Sequence, residues 1–347
     1  MHFCLSCGRS KFIAPNQHDL LVRTVSNLMA HFSRDHLRHK LSGPVFPIPT
    51  PFTPDGGAVD HDALGRYVDF LAGVGVPALM STVGTSRFNL LSDDEIKAVN
   101  TTIATAARGR CIVILAGPLS GSTIANIAFA RHAESVGADA FIAFFPERYY
   151  GEGPVLDFFR ALSDAVSIGV MIHEMPMRSG YGGNQQYSLD LLDRLTDMPG
   201  VVGMKEECMD GGYAYLLHRR LSGKCGIIGA GSKRLFMRDF HAGAKAYLVG
   251  LGNFFPRVAM DFHAALTDGD TARAHAIVRA YEDPYFDVAV SLGWHIALKE
   301  TMHLLKVMPP FERPPLPRLN EAQQTKLRAC IEKLGWLSRD PAHAAVV

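Results

Sequence analysis

Between residues 43 and 250, eight short apolar runs recur, each followed by a segment whose apolar positions are spaced by three and four. The runs lie at 45–49, 78–83, 112–116, 140–145, 170–175, 201–205, 226–230 and 246–250. Most are apolar at successive positions and rich in Val, Ile, Ala, Leu and Phe, the pattern of strands buried on both faces and therefore of a parallel sheet. The spacers have the helical period. After Asp60, the residues Leu64, Tyr67, Val68 and Leu71 share a face, and the pattern stops near Gly73 and Gly75. After Ser122, it runs through Ile124, Ile127, Ala128 and Arg131 to Gly137; Ser188 or Asp190 opens another through Leu192 and Leu195. Ser or Asp starts and Gly stops are the expected caps. Eight strands alternating with helices predict an α/β protein with a closed (β/α)8 TIM barrel, since a doubly wound sheet usually needs fewer strands.

The flanks read differently. Residues 271–347 predict a C-terminal helical region, broken by a proline-rich stretch at 309–317, appended to a barrel over 44–270. Residues 1–43 are rich in His, Arg and Ser and read as an N-terminal extension, partly helical around 20–32 or disordered. Cys4 and Cys7 form a Cys-x-x-Cys, but His31, His36 and His39 lie beyond the usual spacing of a zinc finger, which favours two free thiols.

Composition narrows the function classes. The 347 residues are 48% hydrophobic, enough for a large core, and 35 basic against 34 acidic residues leave a formal net charge of +1. That balance gives no electrostatic reason to expect nucleic acid or a membrane as partner. Six scattered cysteines in a long chain argue against a disulfide scaffold, and no run is long enough to span a bilayer. The expectation is a reduced, cytoplasmic compartment.

Barrel enzymes carry their reacting groups at the C-terminal ends of the strands. Few polar residues end the apolar runs: Thr85 and Ser86 after the second, His173 and Glu174 at the fifth, Lys205 and Glu206 at the sixth. Lys205 closes the run Val201-Val202-Gly203-Met204. A free lysine, with a pKa of about 10.4, is almost wholly protonated near neutral pH, and burial disfavours the ammonium. A desolvated amine can attack a ketone, and the resulting imine withdraws electrons from the adjacent carbon. The competing reading is a rim lysine paired with Glu206 or Glu207. His173 can move protons near neutral pH, or can be a hydrogen-bonded core histidine. The backbone around Gly84, Thr85 and Ser86 could hold a carboxylate, with Arg87 as a planar clamp, or could be an ordinary connecting loop. The Gly229–Ser232 turn reads more simply as a tight turn than as a phosphate cradle. No Cys/His/Asp/Glu cluster in the barrel has metal-ligand spacing; His132 and His218 each stand alone on a helical stretch.

At these positions the chain resembles the dihydrodipicolinate synthase / N-acetylneuraminate lyase family of class I aldolases. Pro49-Thr50-Pro51-Phe52 followed by Asp55-Gly56-Gly57 is similar to that family's opening, and Gly137-Ala138-Asp139-Ala140 to its entry into the fourth strand. Val202-Gly203-Met204-Lys205-Glu206 is similar to its Schiff-base strand, Tyr149-Tyr150 to its paired tyrosines, and Arg313-Pro314-Pro315-Leu316-Pro317 to its C-terminal segment. Two stretches depart: Val83-Gly84-Thr85-Ser86-Arg87 replaces Gly-Thr-Thr-Gly-Glu, and His173-Glu174-Met175-Pro176 replaces Tyr-Asn-x-Pro. The resemblance implies a lyase in which Lys205 forms a Schiff base with pyruvate or a related 2-oxo acid. Thr85 and His173 would relay protons, His173 in place of the family tyrosine. Gly84, Ser86, Arg87, Tyr150, Arg178, Gly229 and Val249 would contact substrate. It implies aldol cleavage, condensation or dehydration without metal or organic cofactor, in a homotetramer or dimer. The departures point to a substrate outside the two best-known ones. The alternatives are a dehydratase of a deoxy-keto sugar acid and a barrel that binds 2-oxo acids without turnover.

Overall fold

A computed structural model describes residues 32–144, 149–175, 186–208, 210–229 and 231–344. The Cys4/Cys7 pair, most of the proposed helix at 20–32, and Arg178 lie outside these residues. Eight parallel strands close in sequence order: β1 (Gly43–Pro47), β2 (Ala78–Met80), β3 (Ile112–Ala116), β4 (Ala140–Phe144), β5 (Gly169–Glu174), β6 (Val201–Glu206), β7 (Gly226–Gly229) and β8 (Ala246–Leu248). Every strand residue is buried, which is why the runs lack alternation: one set of side chains fills the barrel and the other meets the helices. The β2 and β8 strands end earlier than their apolar runs, because the chain turns at once into loops that line the mouth.

The helix α1 (Arg34–Lys40) packs beneath β6 and β7, at their N-terminal ends. Leu37 is fully buried, and Arg38 donates to the carbonyls of Thr196, Met198 and Val201 at 2.7–2.9 Å. The approach requires Gly226, where a Cβ would lie 2.6 Å from the Leu37 carbonyl oxygen. The Asp139 carboxylate accepts from the Phe32 and Val113 amides at 2.6 and 2.7 Å, joining this segment to the barrel wall.

The connecting helices are α2 (His61–Val74), α3 (Asp93–Ala107), α4 (Thr123–Val136), α5 (Glu152–Ala165), α6 (Leu189–Thr196), α7 (Gly211–Leu221), α8 (Lys233–Phe240) and α9 (Pro256–Thr267). Asp60, Ser122 and Ser188 cap α2, α4 and α6 as their positions predict, and α2 and α4 end on left-handed Gly75 and Gly137. Beyond the barrel come α10 (Thr271–Ile277), α11 (Asp283–Ala289), α12 (Trp294–Leu304) and α13 (Glu321–Lys333). Trp336 closes their core against Phe254, Phe255 and Tyr285. The proline-rich stretch leaves α12 and runs back to the mouth. There Arg313 donates to the carbonyls of Gly56 and Gly57 and takes Glu95 in a two-point pair, each contact 2.8–3.0 Å. The Asp-Gly turn and the Arg-Pro segment, far apart in sequence, are thus one contact. No helix among the described residues is long and apolar enough to cross a membrane.

Candidate active site

The pairing of β5 with β6 sets His173 beside Lys205 and Glu174 beside Glu206. Because side chains alternate along a strand, the first pair faces the barrel interior and the second faces the surrounding helices. Lys205 Nζ lies 3.3 Å from His173 Nε2 and is only 1% exposed. The His173 ring packs edge-on against Phe144 at the end of β4. Nζ also donates to Glu207, whose carboxylate is largely buried. The pairing with Glu207 therefore exists, but within the barrel mouth and not at a solvated rim.

A cavity of about 270 Å³ opens at the strand ends, lined by Glu207, Thr85, Gly231, Val249, Trp294 and His295 among others, and meets the pair through Glu207. Its volume suits a small molecule. Hollows of about 560 and 540 Å³ border Lys306 and Val307, away from the strand ends where barrels do chemistry. Thr85 Oγ1 lies 3.4 Å from His295 Nε2. His295 is the residue that sequence reasoning missed, because it arrives on α12 and not at a strand end. Its one signal is the Gly293-Trp294-His295 start of a helix inside the C-terminal region.

The loop after β2 differs from expectation. The amides of Thr85, Ser86 and Arg87 donate to Thr82 Oγ1, the Thr82 carbonyl and the Gly84 carbonyl at 3.0–3.2 Å. Ser86 Oγ donates to the Ile48 carbonyl at 2.6 Å and accepts from the Thr82 amide. These three amides are used within the turn, so Ser86 shapes the loop and does not offer its amide to a carboxylate, and Gly84 supplies the carbonyl that the Arg87 amide takes. Arg87 is buried with a left-handed φ of 60°, and its guanidinium takes Glu312 in a two-point pair at 2.7 and 3.2 Å. It also donates to the Thr85 and His295 carbonyls. The expected carboxylate clamp is instead a strut between the mouth and the C-terminal segment. Lys299 completes this cluster, 3.3 Å from Glu312 and 2.9 Å from the Thr50 carbonyl. Burial lowers its pKa to about 8.

The turn after β7 holds no vacant anion cradle. The Glu282 carboxylate accepts from Ser232 Oγ and the amides of Lys233 and Arg234 at 2.9–3.3 Å, occupying the N-terminus of α8. Gly229 ends β7 below this turn, with space where a Cβ would be. Tyr150 is 77% exposed at the start of α5 and is not part of the cavity wall.

Behind the strands, the Glu174 carboxylate accepts from the Tyr187 amide at 2.7 Å and from the Tyr213 hydroxyl at 3.1 Å. Burial pushes the Glu174 and Glu206 carboxyls up to about 7. His218 does not stand alone: it lies with Glu206 and Asp239 in a buried trio. Burial lowers its pKa, so the imidazole is neutral near pH 7.

A closed parallel barrel with a buried lysine and histidine at its strand ends, beside a mouth cavity, has the architecture of a barrel enzyme. The match to known proteins is narrower. A model of the dihydrodipicolinate synthetase family matches residues 40–334, and the chain belongs to that family. The chain is 30% identical to the 4-hydroxy-tetrahydrodipicolinate synthase of Acidiphilium cryptum, over 85% of this chain and 99% of that one. It is 29% identical to a probable 5-dehydro-4-deoxyglucarate dehydratase of Allorhizobium ampelinum, over 83% and 93%. The crystal structure of dihydrodipicolinate synthase from Aquifex aeolicus superposes with a TM-score of 0.75 at 23% identity, over 85% and 99% of the two chains, and shares the fold. The protein is accordingly a lyase.

Proposed function

We propose that Lys205 is the Schiff-base lysine and that the substrate is pyruvate or a related 2-oxo acid. The observation that carries this is the buried Nζ at the C-terminal end of β6, 3.3 Å from His173 Nε2 and bonded to Glu207, which lines the mouth cavity. The ammonium first passes a proton to Glu207 or His173, the acceptors it touches. The freed lone pair adds to the C2 carbonyl carbon, and loss of water leaves a protonated imine. That cation draws electrons from C3, so a C3 proton can leave to His173, giving an enamine. The enamine then attacks an aldehyde carbon, or, in the cleavage direction, forms as the C3–C4 bond breaks. Thr85, in contact with His295, moves the proton at the far oxygen. Water hydrolyses the product imine and restores the amine.

The dehydratase reading is favoured by the likeness to the Allorhizobium protein. In that case the same enamine expels a C4 hydroxyl as water. Family membership further supports a cytoplasmic homo-oligomer. The test is a screen of 2-oxo acids and deoxy-keto sugar acids for borohydride-dependent inactivation, followed by turnover assays on those that inactivate. Inactivation with turnover supports the lyase; inactivation by none of the acids tried would remove it, and an adduct without turnover would leave a binding barrel.

A further inference from the structure

Glu206, His218 and Asp239 come from β6, α7 and α8 and meet on the outer face of the barrel wall, on the opposite side of β6 from the Lys205 amine. They are 0%, 0% and 3% exposed, and one ligand-type atom of each lies within 4.8 Å of the others. An independent observation points to a missing occupant. Among the described residues, Glu206 Oε2 and both ring nitrogens of His218 have no hydrogen-bond partner. Buried polar atoms are nearly always satisfied, so orphans on two of the three clustered residues need an explanation. The other oxygen of Glu206 accepts from the Cys208 amide. Asp239 receives the Arg238 guanidinium at 2.6 and 2.8 Å, which leaves a further lone pair on each oxygen.

We propose that this trio binds one divalent transition-metal ion, with zinc as the best fit, tying α7 and α8 to the end of β6. An imidazole with two carboxylates is a borderline-to-hard donor set that zinc accepts at about 2.0–2.2 Å per bond. Closing the trio on an ion needs side-chain shifts of about an ångström on those bond lengths. The ion would offset two buried carboxylates against a single neighbouring guanidinium. It does not touch the reacting atoms. Its effect is to brace the strand end that carries Lys205, a positioning role. Sequence spacing hides the site because its ligands lie on three separate elements.

The experiment uses the full chain with Cys4→Ser and Cys7→Ser, which removes the other plausible zinc ligands. The protein is stripped with chelator, dialysed against zinc chloride, and measured for bound metal and Tm. The expected result is a single equivalent of zinc per chain and a raised Tm, both lost in His218→Gln. No bound zinc, or equal zinc in His218→Gln, overturns the proposal. If His218→Gln does not fold, anomalous diffraction from zinc-soaked crystals of the unaltered chain decides. A peak among the three side chains supports the site, and a peak elsewhere or none overturns it. Neither metal content nor Tm depends on imine chemistry, so this proposal and the catalytic one can fail separately.

Discussion

Alternation along β5 and β6 gives neighbouring residues opposite surroundings: His173 and Lys205 face the barrel interior, while Glu174 and Glu206 face buried helices. Each side has its own prediction. His173→Phe keeps the ring volume but removes the proton carrier. It is expected to lower kcat by about 10²–10⁴-fold while leaving borohydride trapping with 2-oxo acid largely intact. Steady-state kinetics set against adduct yield check this, and unchanged turnover would exclude His173 from the relay. Glu174 makes a stability prediction. Its folded pKa of about 7 lies above the ordinary 4.5, so between those values the folded state holds a proton that the unfolded state has lost. This group's contribution to stability therefore falls as pH rises through that window. Glu174→Gln, which keeps an acceptor for the Tyr187 amide, should gain stability relative to the parent from pH 5 to pH 8, by on the order of a few kcal/mol. Urea unfolding at both pH values measures it, and a difference independent of pH would contradict the assignment. Of these residues, sequence marked Lys205 and His173 because polar groups ending apolar runs stand out. It left open whether Glu206 or Glu207 would pair with the amine, because which of two consecutive carboxylates reaches it depends on where the strand ends.

The C-terminal elements do more than cover the barrel. The α12 helix brings His295 to Thr85 and Lys299 to Glu312, and Glu312 neutralises both Arg87 and Lys299. Such a cluster is stable only while its charges balance. Glu312→Gln leaves two buried cations without a counter-charge and should cost about 3–5 kcal/mol, read as a lowered urea midpoint. A midpoint within error of the parent would show that Arg87 and Lys299 find other partners. The contacts of His295 with Thr85 and of Glu312 with Arg87 span more than 200 residues. Hydrophobic period reveals that a segment is helical and which face is apolar, but not which element that face will cover. For that reason the loop after β2 read equally as a substrate cradle and as an ordinary connecting loop: its glycine and hydroxyls fit either, and nothing local showed that the amides of Thr85, Ser86 and Arg87 would be used within the turn. The anion partner of α8 was hidden in the same way, since Glu282 lies 50 residues from Ser232.

At the scale of the whole molecule, the barrel was legible because burial on both faces removes alternation from every strand, and eight such runs leave few ways to close a sheet. Strand ends were less legible where β2 and β8 stop short to form the mouth. Assembly leaves no comparable trace in the period. The account expects an oligomer, so light scattering should return a multiple of 37.9 kDa, and a monomer at micromolar concentration would contradict it. The chemistry itself requires that one amine among all those in the chain become bonded to substrate carbon. The direct measurement is peptide mapping by mass spectrometry after borohydride reduction in the presence of pyruvate. The account predicts that the reduced pyruvyl adduct appears on the peptide carrying Lys205 and vanishes in Lys205→Arg. An adduct that persists in Lys205→Arg, or that maps to Lys299 or to surface lysines, would contradict it.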